Sequence, residues 1–175
     1  LRNNGNGCES PGAIDANIGD VHGIVVTDID ADGIDDIAAV GASTNEVVWY
    51  ENGRTGVDDN PSFTKQSIAT PNQPQDIGLI QLDADLDLEL VVSVADGLRI
   101  YDAAGDPSSW SELPIGGSVP GSAMAVTRLH VGDYDGDGDD DVLAGSAVLG
   151  AIYVLYRDDA GYTQTEIANQ QTGLS

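Results

Sequence analysis

The sequence has a single cysteine, Cys8, so the chain cannot form an internal disulfide or a metal site of several thiolates. Basic residues are also scarce: six Lys and Arg stand against 30 Asp and Glu, for a formal net charge of −24. That charge disfavours nucleic acid and anionic membrane surfaces as partners. No stretch approaches the roughly 20 consecutive apolar residues of a membrane span. Helical periodicity is absent as well, which predicts an all-β fold.

Aspartate is what the chain has in excess, and it is concentrated in short loops. The clearest loop runs from Asp133 to Asp141 with the spacing D-x-D-x-D-G-x-x-D. Two carboxylates about 4 Å apart repel by about 4 kcal/mol at a protein surface, so the loop needs a cation. Oxygen donors in a flexible loop suit calcium, with a glycine at the sharp turn. The predicted ligands are the side chains of Asp133, Asp135, Asp137 and Asp141 and the carbonyl of Asp139.

The same spacing occurs upstream, with Gly33 at the turn. It begins at Asp28, 105 residues before Asp133. The predicted ligands of this first acidic loop are the side chains of Asp28, Asp30, Asp32 and Asp36 and the carbonyl of Ile34. The sequence therefore predicts two strong calcium sites, one in this first acidic loop and one in the third acidic loop at 133–141.

A degraded copy lies midway between these loops. Aligning Leu90 with Ile37 and Val142 gives steps of 53 and 52 residues, so this second acidic loop spans 81–89. Its candidate ligands are Gln81, Asp83, Asp85, Asp87 and Glu89. Gln81 replaces the first Asp and Leu86 replaces the glycine, so a weak or lost site is expected. A rival register starting at Asp83 would put Val91 at the closing position and break the apolar alignment.

Short apolar segments separated by turn residues surround the loops and predict strands. The segments are 23–27, 37–40, 46–50 and 63–69; then 77–82, 90–94, 98–101 and 110–115; then 125–131, 142–147, 151–156 and 162–167. Residues 116–121 are predicted to be a longer connection. The expected organisation is the end of a preceding unit at 1–18, followed by three units of four strands at 19–70, 71–122 and 123–175.

An EF-hand is the obvious alternative for the loops, but two features exclude it. Its twelfth position should carry a bidentate acid, whereas counting from Asp28 and Asp133 gives Ala39 and Ala144. Flanking helices are not predicted either.

The acidic loop between strands, the apolar strand after it and the aromatic strand ending in Asn52-Gly53, at a period near 52 residues, together resemble the FG-GAP/VCBS repeat. This resemblance implies β-propeller blades of four antiparallel strands, with calcium held between the first two strands of each blade. Such blades occur in integrin α-chain heads, fungal lectins, some polysaccharide lyases and many secreted surface proteins. Three full blades and a partial N-terminal one are expected.

Three functions are compatible with this resemblance. The expected one is an extracellular, non-catalytic calcium-binding module with a structural or adhesive role, whose partner is another protein or its own copies. Either the chain is then a segment of a larger propeller, or residues 1–17, which carry strand signals, pair with a neighbouring copy by strand exchange and give an oligomer or a filament. The alternatives are a lectin-like carbohydrate-binding propeller and a non-catalytic part of a secreted polysaccharide-degrading enzyme.

Histidines and aromatic residues bear on these alternatives. His22 and His130 precede the acidic loops without a visible nucleophile, so structural roles are expected for both. The aromatic residues are expected to pack between blades rather than to form sugar-stacking platforms: Trp49, Tyr50, Tyr101, Trp110, Tyr153, Tyr156 and Tyr162.

Overall fold

The chain folds into β-strands joined by turns. A computed structural model describes residues 12–54, 62–82, 88–115, 117–118, 125–158 and 161–169. Within these ranges there are thirteen strands and no helix, which confirms the all-β fold class. The same ranges contain no helix that is long and apolar enough to cross a membrane.

The strands form three consecutive sheets, each with four antiparallel strands in chain order. The first sheet consists of β1 (Val21–Thr27), β2 (Asp36–Gly41), β3 (Glu46–Asn52) and β4 (Phe63–Ala69). The second consists of β5 (Asp76–Ile80), β6 (Glu89–Val94), β7 (Gly97–Asp102) and β8 (Ser111–Leu113). The third consists of β10 (Val126–Gly132), β11 (Asp141–Ser146), β12 (Ala151–Asp158) and β13 (Gly161–Asn169). Strand pairing stays within each sheet, so it does not by itself define a propeller.

Each of the twelve predicted segments contains a strand, but two details differ from the prediction. The connection at 116–121 contains a two-residue strand, β9 (Gly117–Ser118), which pairs in parallel with β13 and adds a fifth strand to the third sheet. Residues 12–17, in which strand signals were expected, contain no strand. This segment contacts the first sheet through Asp15, which accepts a hydrogen bond of 3.0 Å from the hydroxyl of Tyr50. Residues 1–11, and Cys8 with them, lie outside the described residues.

Two apolar cores lie between successive sheets. The first joins Val40, Val47 and Trp49 of the first sheet to Leu90 and Val92 of the second. The other core joins the second and third sheets; it includes Val91, Leu98, Ile100, Val142, Tyr153 and Leu155. Alternating residues of β6 therefore enter opposite cores, and all six of its residues are buried. This accounts for the continuous apolar run of that strand, since a strand between two sheets has no solvent face.

Close approach of the sheets depends on glycine at Gly78 in β5. A Cβ added there would lie 2.8 Å from Leu129 and 3.1 Å from Val131, both in β10. Because side-chain carbons rarely approach so closely, a larger residue at position 78 would require the side chains of Leu129 and Val131 to shift.

Candidate metal centre

Both complete acidic loops occupy the same place in their sheets, between the first and second strands. The ladder of β1 and β2 ends at the pair Thr27 and Asp36, and that of β10 and β11 ends at Gly132 and Asp141. Each loop is thus a connection between two antiparallel strands, and its last acid is the first residue of the second strand.

Three carboxylates converge in each loop. In the first acidic loop they belong to Asp28, Asp30 and Asp36, and in the third to Asp133, Asp135 and Asp141. Within each group, one ligand oxygen from every residue lies within 4.8 Å of the others. The same three positions of the motif converge both times, and each group could hold a metal ion. Among the described residues, Asp32 and Asp137 do not belong to these groups, although the spacing predicted them as ligands.

The backbone amides inside the loops donate to the carboxylates. Asp28 accepts from the amides of Asp32 (3.0 Å) and Gly33 (2.8 Å), one on each oxygen. Asp133 accepts in the same way from Gly136 (2.6 Å) and Gly138 (3.1 Å). The first acid of each loop therefore fixes the turn around itself.

Asp32 and Asp137 have a local role of the same kind. One oxygen of Asp32 accepts from the amide of Ile34 over 2.8 Å, and one oxygen of Asp137 accepts from the amide of Asp139 over 2.9 Å. These bonds fix the residues whose carbonyls the sequence predicted as ligands.

The closing acid of each loop is buried and anchors the loop to its sheet. Asp36 and Asp141 are 2% and 0% exposed. Asp141 accepts from the amide of Tyr134 (2.8 Å) on one oxygen and from that of Arg157 (2.8 Å) on the other. In the second acidic loop Glu89, 1% exposed, accepts from the amide of Leu82 over 2.9 Å. The sequence predicted these acids as ligands, but it gave no signal for their bonds to a distant strand.

Left-handed backbone conformations occur twice in each loop. Gly33 and Gly138 have φ of +87° and +98°, as the sharp turn requires. Two residues earlier in each loop, Gly136 has φ +84°, and the equivalent Ala31 has φ +59°. An alanine is strained in this region because its Cβ crowds the following carbonyl.

The converging carboxylates are electrostatically unfavourable without a cation. Burial raises the pKa of Asp36, and the charges of Asp30 and Asp32 raise it further. Burial also raises the pKa of Asp30, and the charges of Asp32 and Asp28 add to the effect. In the third acidic loop desolvation raises the pKa of Asp135 in the same sense. Each loop therefore holds negative charge that a bound cation would stabilise.

The second acidic loop is only partly described, since Asp83, Asp85 and Asp87 lie outside the described residues. Its first two residues are held by the third sheet. The amide of Gln81 donates to Asp140 over 2.9 Å, and the guanidinium of Arg157 donates to the carbonyls of Gln81, over 2.9 Å, and Leu82. Arg157 also lies 3.9 Å from Asp139 of the third acidic loop. Arg157 was not predicted as a site residue, because its only signal in the sequence is a cation in a very acidic chain.

The histidines and most of the aromatic residues have structural surroundings. His22 hydrogen-bonds Gln75 over 3.2 Å, and His130 hydrogen-bonds the hydroxyl of Tyr134 over 2.9 Å. Four of the aromatic residues are buried in the cores between successive sheets, as expected: Trp49, Tyr101, Tyr153 and Tyr162. Tyr50 is buried in a separate cluster with Ile18 and Val48. Trp110 and Tyr156 are only partly buried.

Comparison with known proteins adds no family to this picture: no family model, curated protein or solved structure matches the chain. In the part of the chain that the structure describes, the strands form an all-β fold, and two groups of acids could hold metal ions.

Proposed function

We propose that the protein is an extracellular calcium-binding module in which two loops bind Ca²⁺ and brace a stack of β-sheets. The observation that carries this proposal is the convergence of the same three carboxylate positions in both loops. Chance clustering on an acidic surface would not repeat these positions, nor provide each group with its own set of backbone hydrogen bonds.

The donor set favours calcium over other common divalent ions. All converging atoms are carboxylate oxygens, whereas zinc sites in proteins draw on His nitrogen and Cys sulfur. Calcium takes about 6 to 8 oxygens in flexible geometry, and magnesium demands a compact octahedron. The triads would supply three residues each. Asp32 and Asp137 each have a second carboxylate oxygen, and with the carbonyls of Ile34 and Asp139 they remain proposed ligands.

The proposed arrangement of the sheets is that of propeller blades. Three features support it: four antiparallel strands in chain order in each sheet, an acidic loop between the first two strands, and apolar cores between successive sheets. These features agree with the resemblance to FG-GAP/VCBS repeats. A weak or absent ion in the second acidic loop is part of the proposal, because Gln81 and Leu86 depart from the motif.

Exposed apolar side chains on β1 support the proposed structural or adhesive role. Ile24 and Val26 of β1 are 60% and 57% exposed. By strand register they correspond to Ile77 and Leu79 of β5, which pack into the core against the first sheet. The exposed face of β1 thus corresponds to the face of β5 that packs against the first sheet. The proposed partner for such a face is another protein or another copy of the chain, and the proposed role is non-catalytic.

Thermal denaturation with and without calcium tests this function. The chain should melt at a markedly higher temperature in excess calcium than in chelator, since a ligand at 100 times its dissociation constant adds about 2.7 kcal/mol per site. Magnesium should substitute poorly. A double variant, Asp30→Asn with Asp135→Asn, is the matched control and should lose most of the calcium response. Superimposable melting curves of the wild type in calcium and in chelator would refute the proposal.

A further inference from the structure

A cavity of about 330 Å³ lies beside the first acidic loop, between it and the second sheet. Asp28 and Asp30 line one part of it, and Leu79 and Leu88 line another. Trp110, from the turn that leads into β8, completes the apolar part. A cavity of this size lies at the lower end of the range for small-molecule sites, about 300–1,000 Å³.

The indole side of the cavity is preformed. Trp110 packs against the core between the first and second sheets, and its indole N–H donates to the carbonyl of Pro107 over 2.8 Å. Asp106 holds the intervening turn by accepting from the amide of Ser108 (3.0 Å) and from its hydroxyl (2.6 Å). A ligand entering the cavity would meet a fixed aromatic surface, so little ordering of the protein would oppose binding.

The opposite wall is polar and belongs to the candidate metal centre. Asp28 and Asp30 are two of the three converging carboxylates of the first acidic loop. Calcium bound by this group accepts further oxygen ligands, including neutral ones such as water and carbonyls. A ligand that lies in the cavity can therefore approach both the indole and the ion.

The charge of the site restricts the ligand. The three converging carboxylates and that of Asp32 outweigh the charge of one divalent ion, so the site stays net negative, within a chain whose formal net charge is −24. An anionic ligand would be repelled. The cavity fits a neutral molecule with an apolar face for Trp110 and Leu88 and with hydroxyl oxygens for the ion.

We propose that this cavity binds a neutral saccharide ring, whose apolar face stacks on Trp110 and whose hydroxyls reach the calcium of the first acidic loop. The inference rests on the proposed calcium binding. It adds a ligand class and assigns it to one loop only, so the equivalent carboxylates of the third acidic loop provide a built-in control.

The test measures binding of neutral methyl glycosides of glucose, galactose, mannose and N-acetylglucosamine by calorimetry and by tryptophan fluorescence, in calcium and in chelator. At least one glycoside should bind saturably in calcium and not in chelator. Asp30→Asn should abolish that binding, as chelator does, because the variant loses the calcium of the first acidic loop. Asp135→Asn, the matched variant in the third acidic loop, should leave it unchanged.

Variants of the apolar wall complete the test. Trp110→Phe should weaken binding and remove the fluorescence change, because the other tryptophan, Trp49, is only 3% exposed. Since Trp110 also packs on the core, Leu88→Lys provides a second variant at a side chain that is 40% exposed. It should weaken binding without lowering the melting temperature.

The outcomes separate this inference from the function on which it rests. Calcium binding without saturable binding of any glycoside would overturn the saccharide site and leave the proposed function intact. Glycoside binding that persists in chelator, or that falls equally in Asp30→Asn and Asp135→Asn, would also overturn it. An absence of calcium binding would refute the proposed function itself.

Discussion

The backbone amide of Asn52 donates a hydrogen bond of 2.7 Å to Oδ1 of Asp36, which lies 16 residues earlier in the chain. The other oxygen of Asp36 accepts from the amide of Ile29 over 3.1 Å. In the third sheet Asp141 is bonded in the same way to Arg157 and Tyr134. One buried carboxylate thus joins the start of the loop to the end of the third strand of its sheet. This link does not require a metal ion.

Replacing Asp36 by alanine should therefore destabilise the protein even in chelator. The change leaves two partly buried amides without their acceptor, and an unsatisfied buried group costs about 1–3 kcal/mol. Urea denaturation in chelator should show a loss of about 2 kcal/mol or more. Asp20→Ala, at an exposed aspartate, is the control and should have little effect. A loss for Asp36→Ala no larger than for this control would show that the two bonds contribute little.

The strained alanine of the first acidic loop offers a reciprocal pair of variants. Ala31→Gly should stabilise the protein by up to about 1 kcal/mol, because glycine adopts positive φ without the steric cost. Gly136→Ala, at the equivalent position of the third acidic loop, should destabilise it by about the same amount. Urea denaturation of both variants measures the pair. Changes of the same sign would contradict the assignment of strain to position 31.

The strands were predictable because apolar runs and turn residues alternate clearly along this chain. Residues 63–69, for example, were predicted as a strand and form β4. The short strand β9 was not, since Gly117 and Ser118 have the composition of a turn and their pairing is imposed by β13. The local pattern of apolar residues predicts a strand well where its side chains fill a core. It predicts a strand poorly where the strand forms only because its backbone pairs with a distant strand.

The sequence predicted where the candidate metal centre lies, but not the hydrogen bonds that link its residues to other strands. Spacing placed the side chains of Asp28, Asp30, Asp32 and Asp36 in one group, and the structure brings all of these but Asp32 together. Spacing could not show that Asp36 is bonded to Asn52, because that contact depends on the pairing of β2 with β3. Nor could it show the reach of Arg157 to the carbonyl of Gln81, which depends on how the second and third sheets pack.

The pH dependence of stability should reveal the contact of Asp15 with the first sheet. The amide of Asn17 lowers the pKa of Asp15 below its usual 3.8, and Lys65 (3.0 Å away) and Tyr50 add to the shift. Because the folded-state pKa is depressed, the stabilisation is fully present above pH 3.8 and is lost as the pH falls through the folded-state value.

At alkaline pH the same contact depends on Lys65, whose pKa is shifted in the opposite direction to that of Asp15. Burial lowers the pKa of Lys65, but the carboxylates of Asp15 and Glu46 outweigh it and raise the pKa above 10.5. The stabilisation is therefore present below pH 10.5 and is lost as the pH rises through the folded-state pKa.

The difference in unfolding free energy between wild type and Asp15→Asn, measured in chelator, should be constant from pH 5 to 9 and vanish in strong acid. A difference that grows on acidification would contradict this account.

Calcium titration calorimetry tests the central claim most directly. The wild-type chain should bind two ions, with dissociation constants on the order of 10⁻⁴ to 10⁻³ M, the range of extracellular calcium-binding modules. Asp30→Asn and Asp135→Asn should each lose one of the two sites, and the double variant should lose both. Two sites that disappear one at a time are the result this account predicts; three equal sites, or none, would contradict it.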